Sequence, residues 1–224
     1  MNLGPIVDGW TARPHPEPVT LTGAWVDVLP LSEAHFADLF ATTCAPTPDL
    51  WTYRPIERPT SLATLWMHLA GVLADPGAVT FAPRPRTGPS AGTVAGVASY
   101  LRIEPAHGQV EVGGILLGHG LARTAAGTEA IHLLIRHAFD DLGYRRFEWK
   151  CDAGNEPSRR AAARLGFGYE GTFRQHMVVK GRNRDTAWFS ITDGEWPAIR
   201  AEHERWLAPD NFHPDGRQRT PLLV

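Results

Sequence analysis

The chain has 224 residues, a formal net charge of −2 and two cysteines. A chain of this length can bury a substantial core as one large domain, or as a domain with extensions. The near balance of charge excludes a nucleic-acid partner held by bulk electrostatic attraction, and two cysteines do not make a disulfide framework. No apolar run resembles a signal peptide or reaches transmembrane length, so we expect a soluble, cytoplasmic protein without a membrane partner.

The first nineteen residues form an arm rich in proline and glycine, which disfavours regular structure until after Pro18. The sequence leaves open whether Trp10 anchors this arm to its own domain or to the second subunit of a homodimer. Alternating apolar residues then predict one strand over residues 21–29. Ser32 is suited to cap the helix that follows. The inward face of this helix is predicted to hold Phe36, Leu39 and Phe40.

Residues 44–61 contain four prolines around Trp51 and Tyr53, a composition typical of a structured loop. These two aromatic side chains either cover the edge of the core, which is the commoner role of aromatics, or line a substrate pocket. A second helix is predicted from Ser61 to about Leu73. A turn-rich connection follows over residues 75–92.

The next segments predict a β-hairpin and then a crossover unit. Residues 93–103 and 110–117 are predicted strands joined by a turn at residues 107–108. The second strand leads through a loop of small residues into an amphipathic helix over 128–142, and residues 146–152 alternate as a further strand. Strand, helix and strand in this order place the two strands side by side and parallel.

The pattern of the long helix predicts which of its faces is buried. Apolar residues recur at helical spacing, and Gly143 is suited to end the helix. The predicted buried face holds Ile131, Leu134, Ile135, Ala138, Phe139 and Leu142. The predicted outer face holds Glu129, His132, Arg136, Asp140 and Asp141.

Downstream of the crossover unit, Asn155 is suited to cap a short alanine-rich helix, and Ser158 falls in its first turn. A second hairpin is predicted from about residue 173 to 191, and a last amphipathic helix over about 195–207. The chain is thus expected to consist of a proline-rich arm (1–19), one α/β domain (20–207) and a polar tail (208–224).

The loop that precedes the long helix is suited to bind an anion. The first backbone N–H groups of a helix lack intrahelical acceptors and lie at the positive end of its dipole. Small side chains let a phosphate approach the backbone, and Arg123 adds a charge suited to phosphate oxygens. We therefore expect a phosphate-bearing ligand at residues 121–129, although an ordinary strand-to-helix connection can have the same composition.

Three motifs resemble those of the GNAT acetyltransferases, in the branch that contains the ribosomal-protein N-terminal acetyltransferases of the RimJ and RimL type. The likeness extends over about residues 20–195, with Ala126 and Thr128 at positions where glycines are usual. The motifs are Arg123-Thr124-Ala125-Ala126-Gly127-Thr128, similar to the acyl-CoA pyrophosphate loop Q/R-x-x-G-x-G/A; Asn155-Glu156-Pro157-Ser158, similar to N-x-x-S; and Leu165-Gly166-Phe167-Gly168-Tyr169-Glu170-Gly171, similar to L-G-F-x-x-E-G.

This resemblance implies a mixed α/β fold with a mostly antiparallel twisted sheet, a central splayed pair of parallel strands, and flanking helices. It also implies acetyl-CoA, or another acyl-CoA such as succinyl-CoA, as co-substrate, with no metal. The pantetheine arm would lie along the strand that contains Gly113 and Gly114, which are consistent with a bulge that opens the sheet. The residues that would hold the co-substrate are Ile115, Leu116, Leu117, Arg123, Thr124, Ala125, Ala126, Gly127, Thr128, Asn155, Ser158 and Arg160.

Glu111 is the first candidate for the base that deprotonates the acceptor amine. It is an acidic residue on an otherwise apolar strand, so burial would raise its pKa toward neutrality. A solvent-facing position on an alternating strand explains the pattern equally well. The resemblance further implies that Ser158 donates a proton to the departing thiolate, and that Trp51 and Tyr53 help to shape the acceptor site.

The sequence therefore predicts an acyl-CoA-dependent N-acyltransferase that works by direct attack in a ternary complex. The acceptor would be a small-molecule amine or a protein N-terminus. The alternative is a regulatory module that binds acyl-CoA without turnover. Other chemistries lack their motifs, since the chain has no P-loop, no G-x-S-x-G elbow and no spacing suited to zinc.

Overall fold

The computed structural model describes residues 3–44 and 48–224. Its strands are β1 (Leu21–Thr22), β2 (Val26–Pro30), β3 (Val79–Pro85), β4 (Gly96–Glu104), β5 (Gln109–Leu117), β6 (Arg146–Asp152), β7 (Gly168–Val179) and β8 (Arg182–Thr192). Its α-helices are α1 (Phe36–Leu39), α2 (Leu62–Leu73), α3 (Ala125–Arg136), α4 (Glu156–Arg164) and α5 (Trp196–Leu207). Short 3-10 turns occupy Glu33–His35, Pro48–Trp51 and Pro209–Asn211, and π-helical turns occupy Phe40–Cys44 and His137–Asp141.

The strands form one sheet in the order β1-β2-β3-β4-β5-β6-β8-β7. Among the described strands, β5 and β6 pair in parallel, and every other neighbouring pair is antiparallel. The helix α3 connects the two parallel strands, as the crossover pattern predicted. The mixed, mostly antiparallel sheet with a central parallel pair is confirmed.

The two central strands separate at one end. Their pairing ends at Val112 and Trp149, whereas β5 continues to Leu117 and β6 to Asp152. The edge of β5 beyond Val112 is therefore not covered by β6. This split is the expected splayed pair.

A β-bulge lies at the start of the split. Between the pairs Val97–Leu116 and Ser99–Gly113, one residue of β4 lies opposite two residues of β5. Gly114 takes a φ of 61°, which glycine adopts at little steric cost. The bulge expected at the glycine pair is confirmed, and it bends β5 away from β6.

The helices cover the sheet on both faces. Val110 and Val112 of β5 belong to a core shared with α3, whereas Leu116 packs in a second core with α1 and α2. Tyr100 is fully buried in the first core, and its hydroxyl donates to the Leu134 carbonyl. The sheet therefore separates a core that contains α3 from a core that contains α1 and α2.

The segment predicted as one strand over residues 21–29 is instead a tight hairpin of β1 and β2. The turn between them presents the N–H groups of Ala24, Trp25 and Val26 to the carboxylate of Glu129, at 2.9, 2.6 and 2.9 Å. A Cβ on Gly23 would lie 2.3 Å from that carboxylate. The strand breaks there because the turn encloses a buried anion.

The predicted connection over residues 75–92 contains β3, so that prediction was incomplete. The carbonyl of Pro83 accepts from Ala95 N–H, and that of Pro85 accepts from Gly92 N–H, on the side of β3 away from β2. The nitrogens of Pro83 and Pro85, which carry no hydrogen, therefore face the β4 side of the strand. The regular pairing of β3 with β4 ends before them, at Phe81. Two prolines are tolerated in a strand because they interrupt no bond to β2.

The predicted outer face of the long helix was wrong for two residues. Glu129 is 6% exposed and His132 is 4% exposed, so both are buried. The β1–β2 turn covers Glu129, and α5 covers His132, whose Nδ1 lies 3.2 Å from Nδ1 of His203. The helical period identified the face toward the sheet but gave no sign that other elements cover the opposite face.

The arm lies on the body of the same chain. The indole N–H of Trp10 donates to the Ala106 carbonyl, and the ring lies against Gly108 in the turn between β4 and β5. Tyr144 Oη donates to the Pro14 carbonyl. In the part of the chain that the structure describes, we find no helix with the length and apolar character needed to cross a membrane.

Candidate functional site

A cavity of about 1090 Å³ opens where the central strands separate, on the α3 face of the sheet. Its walls come from the end of β5, the loop and first turn of α3, β6, α4 and the C-terminal tail. The side chains and backbone that line it belong to Leu117, Leu121, Arg123, Thr124, Ala125, Gly127, Thr128, Ile131, Trp149, Pro157, Arg160, Ala161, Arg164, Leu165, Trp206, Phe212, Gly216, Arg217 and Gln218.

The start of α3 presents free backbone donors to this cavity. Thr124 is the N-cap residue, and its hydroxyl accepts from Gly127 N–H at 3.1 Å. Among the described residues, no acceptor is bonded to the N–H groups of Ala125 and Ala126. These two amides at the positive end of the helix dipole suit a phosphate. This geometry is compatible with the predicted anion site.

Steric contacts explain the residues of this loop. A Cβ on Gly127 would lie 2.1 Å from the Leu121 carbonyl oxygen, so only glycine fits there. Ala126 packs in the core and does not narrow the cavity. Thr128 lines the cavity, and its hydroxyl accepts from Arg164 at 3.1 Å. Replacement of the usual glycines at these two positions is therefore compatible with a spacious cavity.

Cationic and aromatic side chains form the far wall. The Arg164 guanidinium lies 4.6 Å from the centroid of a Trp206 ring, and burial lowers the pKa of Arg164. Arg160 is exposed and pairs with Glu156 at 3.6 Å. The tail supplies Arg217, which is also exposed. These charges suit a ligand with several phosphate groups.

Asn155 and Ser158 have the structural roles that their sequence context predicted. Asn155 is the N-cap of α4, and its Oδ1 accepts from Ser158 N–H at 3.2 Å. The Ser158 hydroxyl accepts from the indole N–H of Trp149 at 3.0 Å. Because Trp149 lines the cavity, Ser158 lies behind its wall, where its side chain also hydrogen-bonds the Cys151 thiol.

Glu111 is buried in a charged cluster on the opposite face of the sheet from α3. Its carboxylate pairs with Lys150 and lies 3.4 Å from Arg102 Nε. Burial raises the pKa of Glu111 above its ordinary value, although Lys150 opposes this shift. A Cβ on Gly113 would lie 3.0 Å from Glu111 Oε1, so the carboxylate lies beside the bulge and the split.

The segment with Trp51 and Tyr53 crosses the open end of the split. Trp51 is buried, and its indole N–H donates to the Thr43 carbonyl. The Tyr53 hydroxyl donates to the Gly154 carbonyl beyond the end of β6. Lys180, in the β7–β8 turn, donates to the Trp51 carbonyl at 3.0 Å. The segment is therefore tied to both sides of the split.

Several residues of the site were missed from the sequence. Arg54 donates to the Ile115 carbonyl at 3.3 Å, at the position predicted to bind the pantetheine arm. Trp206 and Phe212 close the large cavity from the C-terminal end of the chain. These side chains reach the site through long-range packing, for which no local spacing gives a signal.

Residues 27–168 match the family model described as "Acetyltransferase (GNAT) domain", which is more than half of the chain. A solved GCN5-related N-acetyltransferase from Brucella melitensis is 42% identical, with a TM-score of 0.92, over 96% of this chain and 97% of that one. The solved RimJ of Mycobacterium smegmatis, in complex with CoA-disulfide, is 20% identical with a TM-score of 0.69, over 84% of this chain and 94% of that one, and it shares the fold.

A curated relative adds a similarity in sequence. YdaF of Bacillus subtilis, named as a candidate ribosomal N-acetyltransferase, is 29% identical over 109 residues. The match covers 47% of this chain and 57% of the relative, so it spans little more than half the length of that protein. Among the described residues, no group of three or more His, Cys, Asp or Glu side chains is placed to hold a metal ion.

Proposed function

Because the chain belongs to the GNAT acetyltransferase family, we propose that it is an acyl-CoA-dependent N-acyltransferase, with acetyl as the expected acyl group. The acceptor is a primary amine, on a small molecule or at a protein N-terminus. The observation that carries this proposal is the large cavity, in which the free amides of α3 and the free edge of β5 meet. Few other ligands combine a diphosphate with an arm long enough to reach from one to the other.

The diphosphate end of the donor is assigned to the start of α3. The N–H group of Ala125, which lines the cavity, and that of its neighbour Ala126 lack acceptors among the described residues, and Arg123 supplies charge from the same loop. Arg160 and Arg164 on α4 face the cavity from the other side, where a further phosphate would find a cation. The backbone of Ile115, Leu116 and Leu117, which β6 does not pair with, is assigned to the pantetheine arm, next to the Arg54 side chain that donates to the Ile115 carbonyl.

The reacting end of the donor is assigned to the split itself. Glu111 receives the proton of the acceptor ammonium, directly or through a water, because its carboxylate lies beside the bulge in a buried setting. The amine nitrogen then attacks the thioester carbonyl, the carbon–sulfur bond breaks, and the thiolate takes a proton. Ser158 is the assigned donor of that proton, a role that its place in the N-x-x-S motif supports. Its hydroxyl is held behind the cavity wall by the Trp149 indole N–H and the Cys151 thiol.

The acceptor is assigned to the α2 face, below the segment with Trp51 and Tyr53. In this arrangement donor and acceptor approach the split from opposite faces of the sheet and meet without a covalent enzyme intermediate. Cys151 is buried on β6, and burial raises the pKa of its thiol, which disfavours a cysteine nucleophile. Direct attack in a ternary complex follows.

Release of free CoA from acetyl-CoA tests the activity. The acceptor panel should contain diamines, amino acids and peptides with free N-termini, with N-acetylated peptides as the matched control. We expect amine-dependent release with at least one acceptor class and none with the blocked peptides. The charged cluster around Glu111 also suits a module that binds acyl-CoA without turnover, and binding with no release on any amine would favour that alternative.

Ligand binding tests the cavity independently of turnover. CoA should raise the melting temperature more than dephospho-CoA or NAD, because a ligand that binds only the folded state stabilises it by mass action. Arg123→Ala should weaken CoA binding about tenfold, as expected for one charge-assisted contact. Arg136→Ala, at the other end of α3, is the matched control. Equal CoA affinity of both variants and the parent would count against the proposed phosphate site.

A further inference from the structure

A second, smaller cavity of about 150 Å³ lies on the α2 face of the sheet, directly against the bulge of β5. Gly114 and Leu116 form its floor, and Leu69 and Val72 of α2 contribute apolar walls. Its polar side chains are those of Arg54, His68, Asp75 and Ser99. The cavity therefore combines an apolar lining with two nitrogen-bearing side chains, next to the strand edge assigned to the reacting end of the donor.

Arg54 lacks an anionic partner inside the described part of the protein. Its Nη1 donates to the Ile115 carbonyl at 3.3 Å, whereas its Nε is buried and has no hydrogen-bond partner. No carboxylate of the described residues lies within 4.0 Å of its guanidinium nitrogens. Burial lowers the pKa of Arg54, but an arginine side chain keeps its proton in proteins. Among the described residues its charge therefore meets the Ile115 carbonyl and the Trp51 ring, whose centroid is 5.9 Å away, but no carboxylate.

His68 supplies a second unsatisfied nitrogen in the same wall. Its Nε2 is buried without a hydrogen-bond partner, and its ring lies near Trp51, with ring centroids 6.5 Å apart. Burial and the nearby charge of Arg54 both lower the pKa of His68. Asp75 also lines the cavity, but its Oδ1 accepts from Gly77 N–H at 2.9 Å. The cavity thus offers the Arg54 Nε–H donor and the His68 Nε2 nitrogen, which have no hydrogen-bond partner in the described part of the protein.

We propose that this cavity is the subsite for a carboxylate group of one of the two substrates, an inference that rests on the proposed function. A buried cation without a counterion is costly, and an incoming carboxylate would offset that cost with paired N–H···O bonds to the guanidinium. The volume corresponds to about five water molecules, which accommodates a carboxylate on a short methylene chain. The apolar walls suit the methylenes.

Two sources supply the same chemistry at this position. The carboxylate belongs either to a dicarboxylic acyl group, such as succinyl, or to an acceptor amine that also carries a carboxylate. Both place the group within reach of the bulge, because Gly114 belongs to the cavity floor and to the strand assigned to the thioester arm. The shared requirement is an anion beside Arg54.

Two matched substrate pairs distinguish these sources. Succinyl-CoA against acetyl-CoA, with one neutral amine, tests the acyl source. An amino acid against its amide, with acetyl-CoA, tests the acceptor source. In one of the two pairs the parent protein should prefer the carboxylate-bearing member by about 10- to 100-fold in kcat/KM, the range expected for a bidentate charge-assisted contact.

The variant Arg54→Gln should abolish that preference while CoA still raises the melting temperature as in the parent. Arg54→Lys, which keeps the charge, should recover part of the preference. Arg58→Gln changes an arginine of the same segment that instead donates to the Cys44 carbonyl, so it should keep the preference in full. A similar fall for both members of each pair would mean that Arg54 only supports the loop, and would overturn the proposal.

Calorimetric dissociation constants for the same pairs separate this inference from the proposed activity, since they require no turnover. A carboxylate preference in binding that is lost in Arg54→Gln supports the subsite even if no amine is acylated. Equal affinity and equal rates within both pairs, in the parent protein, would overturn the carboxylate subsite and leave the acyltransferase assignment intact.

Discussion

Glu129 and Glu111 are both buried carboxylates, at 6% and 7% exposure, on opposite faces of the same sheet. Burial therefore does not distinguish them, but their partners do. Glu129 accepts from three backbone N–H groups of the β1–β2 turn. Glu111 instead meets the side-chain cations Lys150 and Arg102, next to the split in the sheet.

This difference separates a structural carboxylate from a candidate catalytic one. Backbone donors are fixed by the turn, so the Glu129 carboxylate holds the hairpin in place. Side-chain cations can move, and a carboxylate beside a cleft can exchange a proton without unfolding anything. The type of hydrogen-bond donor around a buried carboxylate is thus a better indicator of its role than its degree of burial.

The largest expected effect is the loss of Glu129. Glu129→Ala leaves three buried N–H groups without an acceptor, and we expect a loss of about 3–5 kcal/mol in the free energy of unfolding. Glu129→Gln keeps one acceptor oxygen and should cost less. Denaturant unfolding measures both. A change below about 1 kcal/mol for the alanine variant would show that water satisfies these amides and that the carboxylate is dispensable.

Glu111→Gln should have the opposite profile. Removal of a general base lowers kcat by about 10²- to 10⁴-fold. The amide oxygen of Gln can still accept from Lys150, so the free energy of unfolding should differ from that of the parent by only about 1–2 kcal/mol. Steady-state kinetics on the best acceptor, with CoA affinity measured alongside, provides the test. An unchanged kcat would remove Glu111 from the mechanism. Glu111 would then be a structural carboxylate, like Glu129.

Gly23→Ala tests the packing around Glu129 without removing its charge. The new Cβ would lie 2.3 Å from the carboxylate, which three N–H groups hold in place, so we expect a loss of about 1–3 kcal/mol. Gly194→Ala is the matched control, since nothing lies within 4 Å of a Cβ there. Equal melting temperatures of the two variants would indicate that the turn yields easily and holds the carboxylate loosely.

The sequence predicted the fold best where an element or a turn is determined by residues that are neighbours in the chain. The unit β5, α3 and β6, the bulge at Gly114 and the Asn155 cap all follow from residues close together in the chain. The strand β3 was missed because two prolines usually argue against a strand, and only the sheet reveals that their missing N–H groups face away from β2.

Residues brought together over long distances could not be found in this way. Glu129 was assigned to the solvent side because the turn that covers it lies about a hundred residues earlier. Arg54 and His68 belong to a loop and a helix whose own patterns show only proline and apolar spacing. Their shared cavity appears once α2 packs on β5, so its chemistry is a property of the tertiary structure.

His132 and His203 form a buried pair between α3 and α5 whose protonation affects the stability of the fold. Burial lowers the pKa of His132 to about 3 and that of His203 to about 4, and each ring also lies near arginine charges. Between about pH 6.5 and pH 4, the unfolded chain takes up protons that the folded chain refuses. Stability should therefore fall with acidification by about 1.4 kcal/mol per pH unit for each histidine, and the pair contributes no slope above that window.

Denaturant unfolding at a series of pH values measures this slope. The double variant His132→Gln/His203→Gln should flatten the acid side of the curve, whatever its absolute stability. His107→Gln, at an exposed turn position, should leave it unchanged. If the double variant keeps the parent slope, the pair is not what the unfolded chain protonates, and the acid response belongs to the carboxylates.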